Sequence, residues 1–145
     1  MELNRDETAK VLNQIVEHEL AGMVRYTQYS LMIFGHARIP IIGWMKEQAI
    51  EAMMHARQAG EEVTSLGARV SLKIGELVGS HHENVDQILQ ELVAHEQSGI
   101  VLYHRLLELA ENRSVALEEL ARQMIRAEEI HVNEIRKMLR NRGDA

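Results

Sequence analysis

The chain has 145 residues, 46% of them hydrophobic, with 22 acidic against 16 basic side chains and a formal net charge of −6. Both signs are interspersed and no Lys/Arg-rich tail is present, which argues against nucleic acid as a partner. No apolar run approaches the ~20 residues that a membrane helix needs, and the absence of cysteine excludes disulfide frameworks, thiolate nucleophiles and Cys-held zinc or iron–sulfur centres.

This length, without a long Gly/Ser- or Pro-rich stretch, is read as a single domain over residues 1–145. The opening MELNRDETAK lacks the apolar core of a signal peptide, so a cytoplasmic protein with no membrane association is expected. Leu, Ala, Glu, Ile, Met and Arg dominate and aromatics are 3%, a helix-forming composition without strand signals.

The first apolar-periodic block runs over about residues 6–34 and contains HELAGMVRY at 18–26. Glu19 falls among Ile15, Val16, Met23 and Tyr26, an apolar stripe where an unpaired carboxylate is costly and a cation is called for. His18, one residue earlier, should point about 100° away toward the rim of the stripe, as an interface group or a support behind the ligands. Tyr26 lies two turns from Glu19; it is either an amphipathic core tyrosine or a hydroxyl that bonds a ligand carboxylate of the opposite hairpin. GHARIP, with the only proline, Pro40, separates this block from a second one over about 41–67, which carries EAMMH at 51–55. The methionines beside His55 read as gap-filling core or interface, although a methionine can also ligate haem.

The connection over about 68–83 is long enough to run the length of a bundle, and it ends in His81 and His82, which are expected to be exposed. The third block, about 84–111, carries HEQSGIVLY at 95–103, with Glu96 among Leu92, Val93, Ile100 and Tyr103 and with His95 placed as His18 is. ENRS follows, its Ser114 a plausible N-cap for the fourth block over about 115–140, which holds RAEEIH at 126–131. Short outer connections and a long middle one predict an all-α, antiparallel four-helix bundle of two hairpins, with one crossover between helices 2 and 3.

HELAGMVRY and HEQSGIVLY share His, Glu, Gly, Val and Tyr in register at an offset of 77, and His55 matches His131 at an offset of 76. The chain therefore reads as one helical hairpin duplicated. Packed about a pseudo-two-fold, the halves would bring Glu19, His55, Glu96, Glu128 and His131 to the bundle centre. A Glu from each of two helices with Glu-x-x-His from the others is the di-iron carboxylate pattern. Oxygen and imidazole ligands suit iron or manganese and leave positions open for dioxygen or peroxide.

The pattern is broken once, because Ala52 stands where the twin of Glu128 belongs: the chain has EA at 51–52 and AE at 127–128. Three carboxylates leave two ferrous ions short of neutrality, so hydroxide, phosphate or Glu51 must complete the site. At about 100° per residue, a position four before His55 lies some 40° to one side and the position three before lies some 60° to the other. A one-residue π-bulge between Glu51 and His55 would bring that carboxylate nearer. Without it, the metal beside His55 is expected to bind more weakly than the one held by Glu128 and His131.

Glu19 in HEL followed by Tyr26, the segment AIEAMMHA, the crossover LKIGE, Glu96 in HEQSG, and RAEEIH together resemble bacterioferritin over nearly the whole chain. The resemblance implies a ferritin-like fold, ferroxidase ligands at Glu19, His55, Glu96, Glu128 and His131, Tyr26 at the catalytic site, and a haem-binding methionine, Met53, for haem b shared across a two-fold dimer. It further implies a homo-oligomeric cage, dimer-based with 12 or 24 subunits, in which ferrous iron is oxidised by dioxygen or peroxide and stored as ferric mineral. RNRGDA at the end leaves no room for the short fifth helix of that family, and Ala52 departs from its bridging glutamate. The competing expectations are a di-metal peroxidase of rubrerythrin type and a low-activity subunit that co-assembles with an active ferritin.

Overall fold

A computed structural model describes residues 2–77 and 84–141. His81 and His82 lie outside the described residues. Four α-helices follow in order, α1 (Arg5–Met32), α2 (Arg38–Ser65), α3 (Val85–Ala110) and α4 (Val115–Leu139), and no strand occurs among the described residues. The fold is the all-α four-helix bundle that the periodicity predicts.

Three helix starts are capped by short polar side chains that accept from first-turn N–H groups: Asn4 from Glu7, Asn84 from Asp86 and Gln87, and Ser114 from Leu117. The start of α2 has no side-chain cap, and it lies ahead of Pro40 rather than after it. First-turn N–H groups have no helical partner, so a proline there removes no bond. The other end of α2 closes on Gly67, whose φ of 80° belongs to the left-handed region. Its N–H reaches the Thr64 carbonyl and that of Ala68 reaches Val63, the paired bonds of a Schellman stop.

From there the crossover is strapped along α1. The Asn13 amide donates to the Arg69 carbonyl and accepts from the Ser71 N–H, the Gly75 N–H donates to the Glu17 carbonyl at 2.8 Å, and Arg25 donates to the Glu76 carbonyl. A Cβ at Gly75 would fall 2.9 Å from the Glu17 oxygen, so only glycine lets the chain lie this close.

Within each hairpin α1 packs along α2 and α3 along α4, while α1 and α3 join the two halves. Where they join, His18 and His95 stack with ring centroids 4.0 Å apart and planes 8° off parallel. Burial, followed by the neighbouring ring, lowers the His95 pKa to about 3, and burial also lowers that of His18, so both rings are neutral. The repeated H-E-x-x-G explains how the rings fit. A Cβ at Gly22 would lie 2.7 Å from Nε2 of His95, and one at Gly99 would lie 2.8 Å from Nε2 of His18. Helix propensity alone favours Gly99→Ala by about 1 kcal/mol. Displacing a packed ring costs about 1–3 kcal/mol, so we expect the variant to unfold at lower urea than the parent. A gain in stability would mean that the stack yields freely.

Two apolar clusters fill the bundle. One is built on Leu12, Ile15, Val63, Leu106 and Ala121, and the other on Tyr29, Ile33, Met45, Ile88 and Ile135. In sequence, Glu19, His55, Glu96, Glu128 and His131 fall between the residues of these two clusters, and all five are buried. They form a polar layer at the middle of the bundle.

Candidate metal centre

Each helix contributes to this layer through the face it turns inward. Glu19 (5% exposed) comes from α1, Glu96 (4%) from α3, His55 (7%) from α2, and Glu128 (4%) with His131 (9%) from α4. The five arrange as two groups that share a member. Glu19, His55 and Glu128 form one, with Nδ1 of His55 at 3.7 Å from Glu19 and 3.4 Å from Oε1 of Glu128. Glu96, Glu128 and His131 form the other, with Nδ1 of His131 at 3.7 Å from Glu96 and 3.5 Å from Oε2 of Glu128. Glu128 thus turns one oxygen to each imidazole.

The two groups have the same composition: one carboxylate from the first helix of a hairpin, one imidazole, and the shared Glu128. Ala52, buried at 7%, adds no carboxylate to either group. The donors of both groups fit a divalent cation each. Both Nδ1 atoms are buried and without a hydrogen-bond partner, although several carboxylate oxygens surround them. Buried, unpartnered ring nitrogens among anions are atoms that a metal ion satisfies once they give up their protons.

The electrostatics follow from burying these ionisable groups against one another. Burial raises the Glu19 pKa despite the opposing pull of His55 and Tyr103. Burial disfavours the charged form of His55, but Glu128 and Glu19 outweigh it and bring the pKa up to about 10; His131 rises in the same way, through Glu128 and Glu51, to about 9. For Glu128 burial acts upward, yet the two imidazoles dominate and its pKa falls to about 2.

Tyrosines cross between the hairpins to complete the layer. Tyr26 of α1 donates to Glu96 of α3 at 2.5 Å, and Tyr103 of α3 donates to Glu19 of α1 at 2.8 Å. Of the two readings open for Tyr26, the hydroxyl bonded to a carboxylate of the opposite hairpin is the one observed. Its hydroxyl holds the Glu96 carboxylate in place.

Glu51 reaches the layer by another route than a bulge. Helix α2 is α-helical throughout, so the π-bulge is absent, and the side chain spans the distance itself. Its Oε2 lies 3.1 Å from Nε2 of His131 and its Oε1 lies 3.5 Å from Nε2 of His55. These are the nitrogens opposite those that face the carboxylate groups. The hydrogen bond from His131 holds the Glu51 pKa down, and its side chain is 37% exposed on the solvent side of the rings. Sequence periodicity could not find this contact, since it places Glu51 to one side of His55 but says nothing of an imidazole from α4.

Met53 lies outside the layer. It is half-buried in a groove of about 510 Å³ with Val16, Leu20, Gly60 and Val70.

The family model described as ferritin-like domain matches residues 9–142. None of the curated proteins matches the sequence. Among solved structures, a ferritin-like diiron-carboxylate protein from Bacillus anthracis str. Ames is 20% identical over 97% of this chain and 100% of its own, with a TM-score of 0.86. A dodecameric thioferritin from Bacteroides fragilis, described as bacterioferritin-related, is 18% identical over 95% and 87%, with a TM-score of 0.89. Desulfovibrio desulfuricans bacterioferritin is 23% identical over 93% and 79%, with a TM-score of 0.81. No helix among the described residues is long and apolar enough to cross a membrane.

Proposed function

The chain belongs to the ferritin-like domain family, and from that premise we propose that it is a bacterioferritin-like ferroxidase subunit that binds and oxidises ferrous iron for storage in an oligomeric shell. The observation that carries this reading is the pair of buried groups meeting on Glu128, each with an imidazole Nδ1 lacking a partner. Ferrous iron is the substrate. One ion is held by Glu19, His55 and Glu128 and the other by Glu96, His131 and Glu128, and each gives one electron to dioxygen or peroxide. Tyr26 and Tyr103 keep Glu96 and Glu19 oriented while the charge at the centre changes.

A shell is supported by the dodecameric assembly of the Bacteroides fragilis protein. It is also supported by the apolar side chains that α2 and the crossover leave exposed, Ile50, Met54, Leu72 and Ile74. Met53 lines a groove beside that surface, and with its counterpart from a second copy of the chain it would hold haem through thioether sulfur.

Anaerobic titration with Fe2+, followed by exposure to air under optical monitoring, tests the reading in protein whose mass is measured by light scattering. Two ions per chain, ferric absorption on oxidation and retention of further iron by a closed oligomer are expected. A monomer that takes up no pair of ions would refute it. An oligomer that oxidises two ions per chain and retains no more would point instead to the peroxidase.

A further inference from the structure

We propose that Glu51 is a positioning residue that clamps both metal-facing imidazoles at once, through their outer nitrogens, and so directs the Nδ1 lone pairs of His55 and His131 to the two metal positions. The inference rests on the reading of the layer as a two-metal centre and adds to it a residue that touches neither metal position.

The argument begins with hydrogen-bond chemistry. An ionised carboxylate can only accept, so the 3.1 Å contact between Glu51 and Nε2 of His131 requires the proton on Nε2. In the neutral ring this leaves Nδ1 unprotonated, which is the form a cation needs. The second oxygen stands 3.5 Å from Nε2 of His55, an ion-pair contact that favours a proton on that nitrogen as well. A metal-bound imidazole whose other N–H is held by a carboxylate is fixed in tautomer and orientation and becomes a better donor, and losing that partner typically costs 10–100-fold in metal affinity.

Charge supports the assignment. The three inner carboxylates carry −3 against two divalent ions, and Glu51 supplies the fourth negative charge one imidazole further out. Its place in the repeat explains the broken symmetry. Position 127 is alanine and 128 glutamate on α4, whereas 51 is glutamate and 52 alanine on α2. Moving one carboxylate by a single residue turns an inner bridge into an outer clamp.

Calorimetric titration with Zn2+ alone, combined with nitrogen-15 histidine NMR, tests the clamp without iron oxidation. The parent should bind two Zn2+ per chain and show two slowly exchanging Nε2–H signals. Glu51→Ala should still bind two ions, each about 10–100-fold more weakly, with both signals lost to solvent exchange. Glu51→Gln offers one acceptor oxygen and an NH2 group, so it should keep one signal and weaken one position more than the other. Unchanged affinity and signals in Glu51→Ala would overturn the inference. So would a fall from two ions to one, which would make Glu51 a direct ligand. The Nε2–H signals are also read in metal-free protein, where their loss in Glu51→Ala is again expected. A parent that binds no zinc pair but keeps that difference would therefore refute the two-metal reading and leave the clamp standing.

Discussion

Glu128→Ala is expected to empty both metal positions together. Glu128 gives one oxygen to the His55 group and the other to the His131 group, whereas Glu19 and Glu96 each serve one group only. Removing one partner of a buried ionic contact costs about 3–5 kcal/mol, and ~3 kcal/mol is on the order of a 100-fold loss of affinity for each ion. Calorimetric titration with Zn2+ should show two sites in the parent, one strong site in Glu19→Ala and none at micromolar concentration in Glu128→Ala. Two imidazolium rings are also left without their shared anion, so the metal-free variant should unfold at lower urea. Glu128→Gln keeps the side chain's volume but not its charge and separates packing from the anion, so it should lose the ions as Glu128→Ala does and unfold at a urea concentration between that variant and the parent. Glu129→Ala, one residue on and exposed, is the control and should change neither. If Glu128→Ala lost a single ion, Glu128 would not be shared and the two-group geometry would be wrong.

That geometry was legible in the sequence to a definable depth. Three-and-four spacing locates four helices to within a few residues, and the duplicated H-E-x-x-G with the two histidines places Glu19, His55, Glu96, Glu128 and His131 in one layer. Periodicity works here because the sheltered face of a long helix repeats. It fails at the start of α2, where Pro40 looks like a separator although a first turn tolerates it. It also fails wherever the answer depends on a partner from another helix. The His18–His95 stack needs the glycine of the opposing helix, and the Glu51 clamp needs an imidazole 80 residues away in sequence. A helical wheel gives the direction of a side chain, and the side chain's own length then carries it past that direction. A one-residue π-bulge is one way to overcome the 40° by which position 51 misses the centre, but the offset suffices to bring the carboxylate behind the ring rather than in front of it.

Metal-free protein should lose stability as pH rises above 6.5, while the stabilisation that metal adds should grow. The imidazoles of His55 and His131 have pKa values raised to about 10 and about 9, above the ordinary 6.5. A group whose folded pKa is raised stabilises the fold fully below its unfolded value, and that contribution is lost as pH rises through the folded one. Glu128, depressed to about 2, contributes above its ordinary 4.5 and loses that contribution as pH falls. Without metal the two imidazoles and Glu128 together are therefore most stabilising between about pH 4.5 and 6.5, and the melting temperature in a chelator should fall from pH 6.5 toward 10. Metal ions require neutral imidazole, so at pH 7 each ion must displace a proton from its ring. Affinity at each position should then rise about tenfold per pH unit until the ring's own pKa is passed, near 9 for His131 and near 10 for His55. Saturating Zn2+ should accordingly raise the melting temperature more at pH 8.5 than at pH 6.5, and calorimetry in buffers of different ionisation enthalpy should count close to two protons released per pair of ions at pH 7. A metal-free melting temperature that climbs between pH 6.5 and 9, or ions that bind without releasing protons, would mean that the two rings are already neutral and that the surrounding carboxylates do not charge them.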